Sequence, residues 1–293
     1  ELWPNFLRAI RERHIPVMMV NGRISEKSVK TYRYLYGIWD DMLNTVSRFC
    51  MQSSIDADYI FSLGADKNKI FVTGNTKFDQ TYAEVTPEDY ARYKEELGLG
   101  ESYPVIMAGS THPGEEKALF DAFKKVRDKY SDARLVIAPR KTNRADEIAK
   151  LAASYGYETG YRSKMLEHPD MRKAYPVVLI DTIGELGRIY AVGDVVYVGG
   201  SLSKTGGHNV LEPAAHAKPI IVGPNMQNFK DSYSLLSKVG ACKMINNTTE
   251  LANEMLDIIG NDERRAKMGA ASLQVIKENR GADIRSIHYL KEL

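Results

Sequence analysis

Four short stretches of this chain place anion-seeking residue types directly after an apolar run. The most specific is Gly199-Gly-Ser-Leu-Ser-Lys-Thr-Gly-Gly-His-Asn-Val-Leu-Glu-Pro-Ala-Ala215. Its two Gly-Gly pairs clear room for close backbone approach. Asn209 is placed to begin a helix, whose positive end can hold a phosphate. Glu212 follows within the first turn, where a carboxylate would oppose a phosphate at the same spot, so it is better used as acceptor for two ribose hydroxyls. The same spacing also fits a flexible loop closed by a capping box, Asn209 to Glu212. After Ala138 come Pro139, Arg140 and Lys141. Arginine suits phosphate through its planar fork of donors, and a solvated basic turn is the plainer alternative. In Asp181-Thr-Ile-Gly-Glu-Leu186, Gly184 lets a ligand approach the backbone, while a capping box ending on Glu185 accounts for the same residues equally well. Gly109-Ser-Thr-His-Pro-Gly-Glu115 offers backbone N–H groups to an anion, or makes an ordinary N-capped turn.

The elements that must position these stretches follow from hydrophobic periodicity. Val105–Ala108, Leu135–Ala138, Val177–Ile180, Val195–Val198 and Ile220–Val222 are short runs apolar on both faces, as in a parallel sheet covered by helices. Between them lie helical patterns over 113–130, 144–155 and 184–191, and another from Asn209. Strand–helix alternation predicts a doubly wound α/β domain, in which ligands sit beyond the carboxyl ends of the strands. Upstream, Pro16–Val20, the weaker Thr45–Cys50 and Ile70–Thr73 read as strands, with a helix over Ser54–Ser62 capped by Ser54 or Asp56. The expected division is a domain over 1–85, a linker over 86–102 with a short helix near Glu88–Leu97, and a second domain over 103–293. Two or three helices are expected between Thr249 and Leu293.

Bulk properties narrow the function classes. The 293 residues suffice for about two domains. A net charge of +2 gives no general polyanion-binding signal, so no nucleic-acid partner is expected. Cys50 and Cys242, the two cysteines, are far apart and read as reduced, buried thiols. His14, His168, His216 and His288 show no ligand spacing, and no metal is expected. No apolar run approaches the roughly 18–20 residues of a membrane span. No GxGxxG follows a strand with an acidic residue at the right distance, which argues against an oxidoreductase.

In order along nearly the whole chain stand Glu1-Leu-Trp-Pro-Asn5, Val20-Asn-Gly-Arg-Ile-Ser-Glu26, Gly74-Asn-Thr-Lys-Phe-Asp79, Gly109-Ser-Thr-His112, Pro139-Arg140, Asp181–Leu186, Gly206–Ala215, Gly223-Pro-Asn225 and Asn228-Phe-Lys230. Together they resemble the Kdo (3-deoxy-D-manno-octulosonic acid) transferase family of GT-B glycosyltransferases. The resemblance implies an α/β fold of two Rossmann-like domains with a cleft between them, the N-terminal one incomplete in this chain. It implies a metal-independent, inverting transfer of Kdo from CMP-Kdo to a lipid A precursor in lipopolysaccharide inner-core synthesis, with no cofactor beyond the donor substrate. The implied CMP contacts are Pro139 and Arg140, then Ile183, Gly184 and Glu185, then Asn209, Val210, Leu211 and Glu212. Within them, Arg140 and the helix start at Asn209 are assigned to the phosphate and Glu212 to the ribose. Glu1 and Lys77 correspond to the family's transition-state stabilisers. A cation at Lys77 suits this role, since it offsets charge developing on the leaving CMP.

The family's general base, a glutamate in a Gly-Glu motif, and its membrane anchor lie upstream of Glu-Leu-Trp-Pro. Residues 1–293 by themselves are therefore expected to be inactive or nearly so, and soluble. The whole protein is expected on the cytoplasmic face of the bacterial inner membrane, against an anionic lipid surface. Arg23, Lys27 and Lys30, at helical spacing, read either as a basic stripe for that surface or for the acceptor's phosphates, or as a solvated face. Trp3, Phe6 and Leu7 are expected in the core or in domain packing. The chain departs from the family pattern at Lys141 and Thr142, where His usually follows Pro-Arg, and at Ile183 for Met, Val210 for Pro and Gly22 for Ala. Those departures bear on the cytidine contacts and leave phosphate recognition intact. The rival readings are another GT-B transferase using a UDP-sugar and a non-catalytic nucleotide-binding fragment.

Overall fold

The computed structural model describes residues 2–32, 38–79 and 84–293, so Glu1 lies outside the described residues. The chain forms two compact units, Glu1–Thr81 with Lys277–Leu293, and Tyr82–Ile276. These units divide the chain differently from the expected 1–85, 86–102 and 103–293. The expected linker contributes a helix, Pro87–Glu96, whose Tyr93 is buried along with the following Leu97 and Leu99. The last helix returns to the first unit because Asp79 caps it, accepting the backbone N–H of Gly281 at 2.5 Å and of Asp283 at 2.9 Å. Phe71 and Tyr289 stack with ring centroids 4.0 Å apart.

The first unit holds a parallel three-stranded sheet in the order β1 (Met18–Gly22), β2 (Arg48–Met51), β3 (Ile70–Val72). Its core joins Leu7, Val29, Trp39, Leu43, Phe49 and Ile60. Of the three residues expected in the core or in domain packing, Leu7 is in the core, while Trp3 and Phe6 are each 62% exposed. The helix Ser54–Ser62 is capped not by Ser54 or Asp56 but by Ser53, whose hydroxyl accepts the N–H of Asp56. Asp56 instead turns its buried carboxylate to the N–H of Ile24 at 2.9 Å, which fixes the segment after β1.

The second unit holds a seven-stranded, all-parallel sheet in the order β10-β9-β8-β4-β5-β7-β6. These strands are β4 (Val105–Thr111), β5 (Arg134–Pro139), β6 (Thr159–Tyr161), β7 (Val177–Leu179), β8 (Val195–Val198), β9 (Ile220–Val222) and β10 (Cys242–Met244). The strand residues of β5, β7, β8 and β9 are buried throughout, as their apolar runs require, and Arg134 at the start of β5 is buried with them. Helices Glu115–Lys129 and Thr248–Gly260 cover one core through Leu119, Phe120, Phe123, Leu251 and Met255. The edge strands β6 and β10 stand outside the sequence expectation. Each is three residues long, and Gly160 and Lys243 break their apolar pattern.

Candidate functional site

The four chemistry-bearing stretches all emerge at the carboxyl ends of β4, β5, β7 and β8, which stand side by side in the sheet as β8-β4-β5-β7. Two of them are locked together backbone to backbone. β4 loses register between Gly109 and Thr111, with Ser110 in the left-handed region at φ 56°. This irregularity lets Gly199, just beyond β8, approach so closely that an added Cβ would stand 2.3 Å from the Ser110 carbonyl oxygen.

The Gly109–Glu115 stretch does not present an empty anion cradle. A row of backbone N–H groups is present, but it belongs to Gly200, Ser201, Leu202 and Ser203, and the anion it holds is the protein's own Glu115. That carboxylate accepts these N–H groups at 2.8, 3.0, 2.9 and 3.2 Å, and also the Tyr197 hydroxyl at 2.8 Å. It reaches back to the His112 N–H at 2.9 Å as well. Glu115 heads the helix Glu115–Lys129 and is almost fully buried. Nothing in the sequence separates this carboxylate from an ordinary acidic residue of a first helical turn, so sequence reasoning misses its role as the pin of the glycine loop.

Gly223-Pro-Asn225 and Asn228-Phe-Lys230 serve the same loop from the end of β9. The Ser201 hydroxyl accepts the Gly223 N–H at 2.8 Å, and Asn225 donates its backbone N–H to the Ser201 carbonyl at 2.9 Å. Asn228 donates its backbone N–H to Gly206 at 2.9 Å and its amide to Thr205 at 3.0 Å. Gly206 and Gly207, at φ 95° and 77°, pass so near Asn228 and Met226 that side chains there would collide.

The end of this loop delivers Asn209 and Glu212. The helical run starts at Leu211 and spans only Leu211–Ala215, so the expected helix start at Asn209 moves two residues on and brings little macrodipole. Val210 stands at the cap position, and Asn209 braces the start from one residue before it: its Oδ1 accepts the Leu211 N–H at 3.0 Å, and its Nδ2 donates to Glu212 Oε1 at 3.1 Å. Val210 and Leu211 are buried. Glu212 keeps one carboxylate oxygen outside the Asn209 hydrogen bond. Burial raises its pKa above the ordinary value, opposed by the Asn209 hydrogen bond and the charge of Arg140. Arg140 is exposed just past β5, while Pro139 is buried as its last residue. The backbone N–H of Arg140 is held by Thr111 at 3.0 Å, and its charge is felt by both Glu212 and His208.

The stretch after β7 is split in function. Ile183 is 89% exposed and Gly184 sits at φ 93° with open space where a Cβ would be. The Glu185 carboxylate is already engaged. Buried Arg162 donates Nε at 3.2 Å to both of its oxygens and Nη2 at 3.0 Å to one, and the Thr182 hydroxyl hydrogen-bonds it too. Any contact of Glu185 with a ligand would therefore run through its backbone. The expected capping hydrogen bonds are absent from the helix Leu186–Ile189 that follows, and Asp181 binds Ser163 instead.

In the first unit, Lys77 is exposed on the short 3-10 turn Thr76–Asp79, at the carboxyl end of β3. Asn75 accepts the Lys77 N–H at 2.9 Å, and Asn21, itself at φ 57°, accepts the Thr76 N–H at 3.2 Å. Of the expected basic stripe, Arg23 precedes the helix Glu26–Tyr32, and Lys30 is paired with Glu26 at 2.8 Å. A cavity of about 490 Å³ opens among Met19, Ile24, Trp39, Met42 and Ile60, with Arg23 in its lining. Among the described residues no group of three or more His, Cys, Asp or Glu could hold a metal ion, and no helix is long and apolar enough to cross a membrane.

The two parallel-sheet units, with polar loops gathered at the strands' carboxyl ends, have the GT-B fold. UDP-GlcNAc 2-epimerase from Neisseria meningitidis, solved with UDP-GlcNAc bound, shares the fold at TM-score 0.61 and 15% identity, over 97% of this chain and 72% of its own. Residues 1–80 match the family described as 3-deoxy-D-manno-octulosonic-acid transferase (kdotransferase). The 3-deoxy-D-manno-octulosonic acid transferase of Haemophilus influenzae is 31% identical over 99% of this chain, which spans 67% of that relative's length. The crystal structure of the C-terminal CMP-Kdo binding domain of WaaA from Acinetobacter baumannii is 26% identical, at TM-score 0.58. It covers 64% of this chain and 96% of its own. The chain belongs to the Kdo transferase family.

Proposed function

We propose that this chain serves an inverting, metal-independent transfer of Kdo from CMP-Kdo to a lipid A precursor at an inner-membrane face, with CMP held by the second unit. One observation carries the reading: Arg140 and Glu212 lie within electrostatic reach of each other at the carboxyl ends of β5 and β8, with the open backbone at Gly184 on the loop after β7. The division of labour follows from charge. Arg140, exposed and cationic, takes the phosphate. Glu212, with an oxygen left over from Asn209, accepts from the ribose hydroxyls. Gly184 and the backbone of Ile183 and Glu185 give the base a surface without side-chain obstruction. Lys77 keeps the role the family resemblance gives it, offsetting charge that develops on the departing CMP. Glu1 is assigned with it on the same ground. The cavity beside Arg23 in the first unit suits an acceptor that is apolar in one part and anionic in another.

Calorimetric titration with CMP, with UDP as competitor, tests the donor side. Preferred binding of CMP, weakened in Arg140→Ala by about 10-fold or more as expected for a lost charge-assisted contact, supports the proposal. Preference for UDP would move the assignment to a UDP-sugar transferase of the same fold.

A further inference from the structure

His112 and His208 have no part in the assignments above, yet they stand among the groups that do. His112 directly follows β4 and His208 lies on the glycine loop after β8, just before Asn209. Their rings lie nearly parallel, with Nε2 of one 2.7 Å from Nε2 of the other. At that distance one nitrogen donates and the other must be unprotonated to accept. A second proton would set two N–H donors head to head. Arg140, from the end of β5, adds a further positive charge; Glu115, from the helix behind, opposes it. Glu115 is already saturated by backbone N–H groups and Tyr197. Burial, His112 and Arg140 together depress the pKa of His208.

The backbones that carry the two rings are tied to each other: Gly199 donates its N–H to the Gly109 carbonyl at 2.8 Å, and Glu115 accepts the N–H groups of both His112 and Gly200. The side chains can still turn about their own bonds. Two inward-facing imidazoles beside an exposed arginine lack one thing that would make the second proton favourable, an anion between them. An oxygen bearing negative charge would accept an N–H from each ring and cancel the repulsion with Arg140. We propose that His112 and His208 form an oxyanion-receiving pair that takes up a proton as it closes on the donor. The oxygen belongs either to the nucleotide phosphate or to the carboxylate of the acid sugar, and the inference rests on the donor reading above.

The test is calorimetry at pH 7 with CMP, with Kdo and with inorganic phosphate, each in two buffers of different ionisation enthalpy. Binding heats are expected to depend on the buffer, reporting uptake that approaches about one proton per oxyanion bound. Uptake is expected to vanish in both His112→Gln and His208→Gln. Uptake with CMP assigns the phosphate, and uptake with Kdo alone assigns the carboxylate. CMP or Kdo bound with no buffer dependence overturns the pair's role and leaves the donor reading standing. Uptake that survives both substitutions belongs to the ligand and overturns it too. Phosphate bound with uptake, when CMP and Kdo do not bind, keeps the pair and removes the donor reading; binding of none removes both. Absence of buffer dependence in the wild type overturns the pair's role even if a substitution unfolds the loop.

Discussion

The carboxylate of Glu115 holds the backbone N–H of Ser201 at 3.0 Å with both residues shut away from water. A nest of N–H groups that would otherwise attract a ligand's anion is thereby filled from within, and the glycine loop is drawn into one shape. Glu115→Gln keeps the size but turns an NH₂ group toward N–H donors. The substitution is expected to cost about 3 kcal/mol, the scale of buried donors left unsatisfied around a charged acceptor. Urea unfolding measures it, and a loss under about 1 kcal/mol would mean the loop is held by Asn225 and Asn228 instead.

Gly199→Ala tests the backbone contact that brings the two loops together. Its Cβ would meet the Ser110 carbonyl oxygen at 2.3 Å, and backbone cannot swing aside as a side chain can. Overpacking of this kind costs about 1–3 kcal/mol. Because the strain is relieved by separating the loops after β4 and β8, CMP affinity should fall together with stability. An alanine protein that binds CMP as tightly as wild type would show that the two loops need not touch.

Glu212 ties stability to pH. Its folded-state pKa is raised above the ordinary 4.5, chiefly by burial. A raised pKa means the folded state favours the protonated form, so this contribution is full below pH 4.5 and is lost as pH climbs through the raised value. Glu212→Gln, which cannot ionise, should therefore unfold at a higher midpoint than wild type at about pH 7, with the gap closing toward about pH 4. The same substitution should weaken CMP binding, because an amide accepts less well from two ribose hydroxyls. Thermal unfolding across pH, set beside calorimetry, checks both signs. A midpoint lowered at about pH 7, with the deficit fading toward about pH 4, would show that Asn209 and Arg140 outweigh desolvation.

The central strands are legible because each is an unbroken apolar run, Val195–Val198 and Leu135–Ile137 most plainly, and burial on both faces of a parallel sheet demands that pattern. β6 and β10 are not, since an edge strand as short as Thr159–Tyr161 leaves no periodicity to read. Gly199, Gly206 and Gly207 are legible as sites of close approach, but what approaches is the protein itself: Ser110, Asn228 and Met226. Spacing shows that a nest and a carboxylate exist; it does not tell which of Glu115, Glu185 and Glu212 is consumed internally. Only tertiary contact separates them, with Glu115 in the nest, Glu185 on Arg162, and Glu212 left with an oxygen to spare. The return of Lys277–Leu293 to the first unit is hidden for the same reason, since its anchor, Asp79, is 202 positions from Gly281 in sequence.

Arg162 joins a buried ion-pair cluster to the loop after β7. Its side chain is 3% exposed and binds Glu185 and, at 2.7 Å, Glu96, while Nη1 finds no partner. Arg162→Met would leave Glu185 without its cation and Glu96 with only the looser Arg92 at 3.8 Å, at a cost of about 3–5 kcal/mol. Arg162→Lys keeps the charge but cannot span both carboxylates with one planar fork, so it should fall between the two. Adding Glu185→Gln to Arg162→Met removes one uncompensated charge and should recover part of the loss, a coupling that a double-mutant cycle reads directly. Because Glu185 adjoins Gly184, Arg162→Lys is also expected to weaken CMP while leaving inorganic phosphate binding at Arg140 unchanged. Equal losses for the two ligands would mean that Arg162 supports the whole unit rather than the loop after β7.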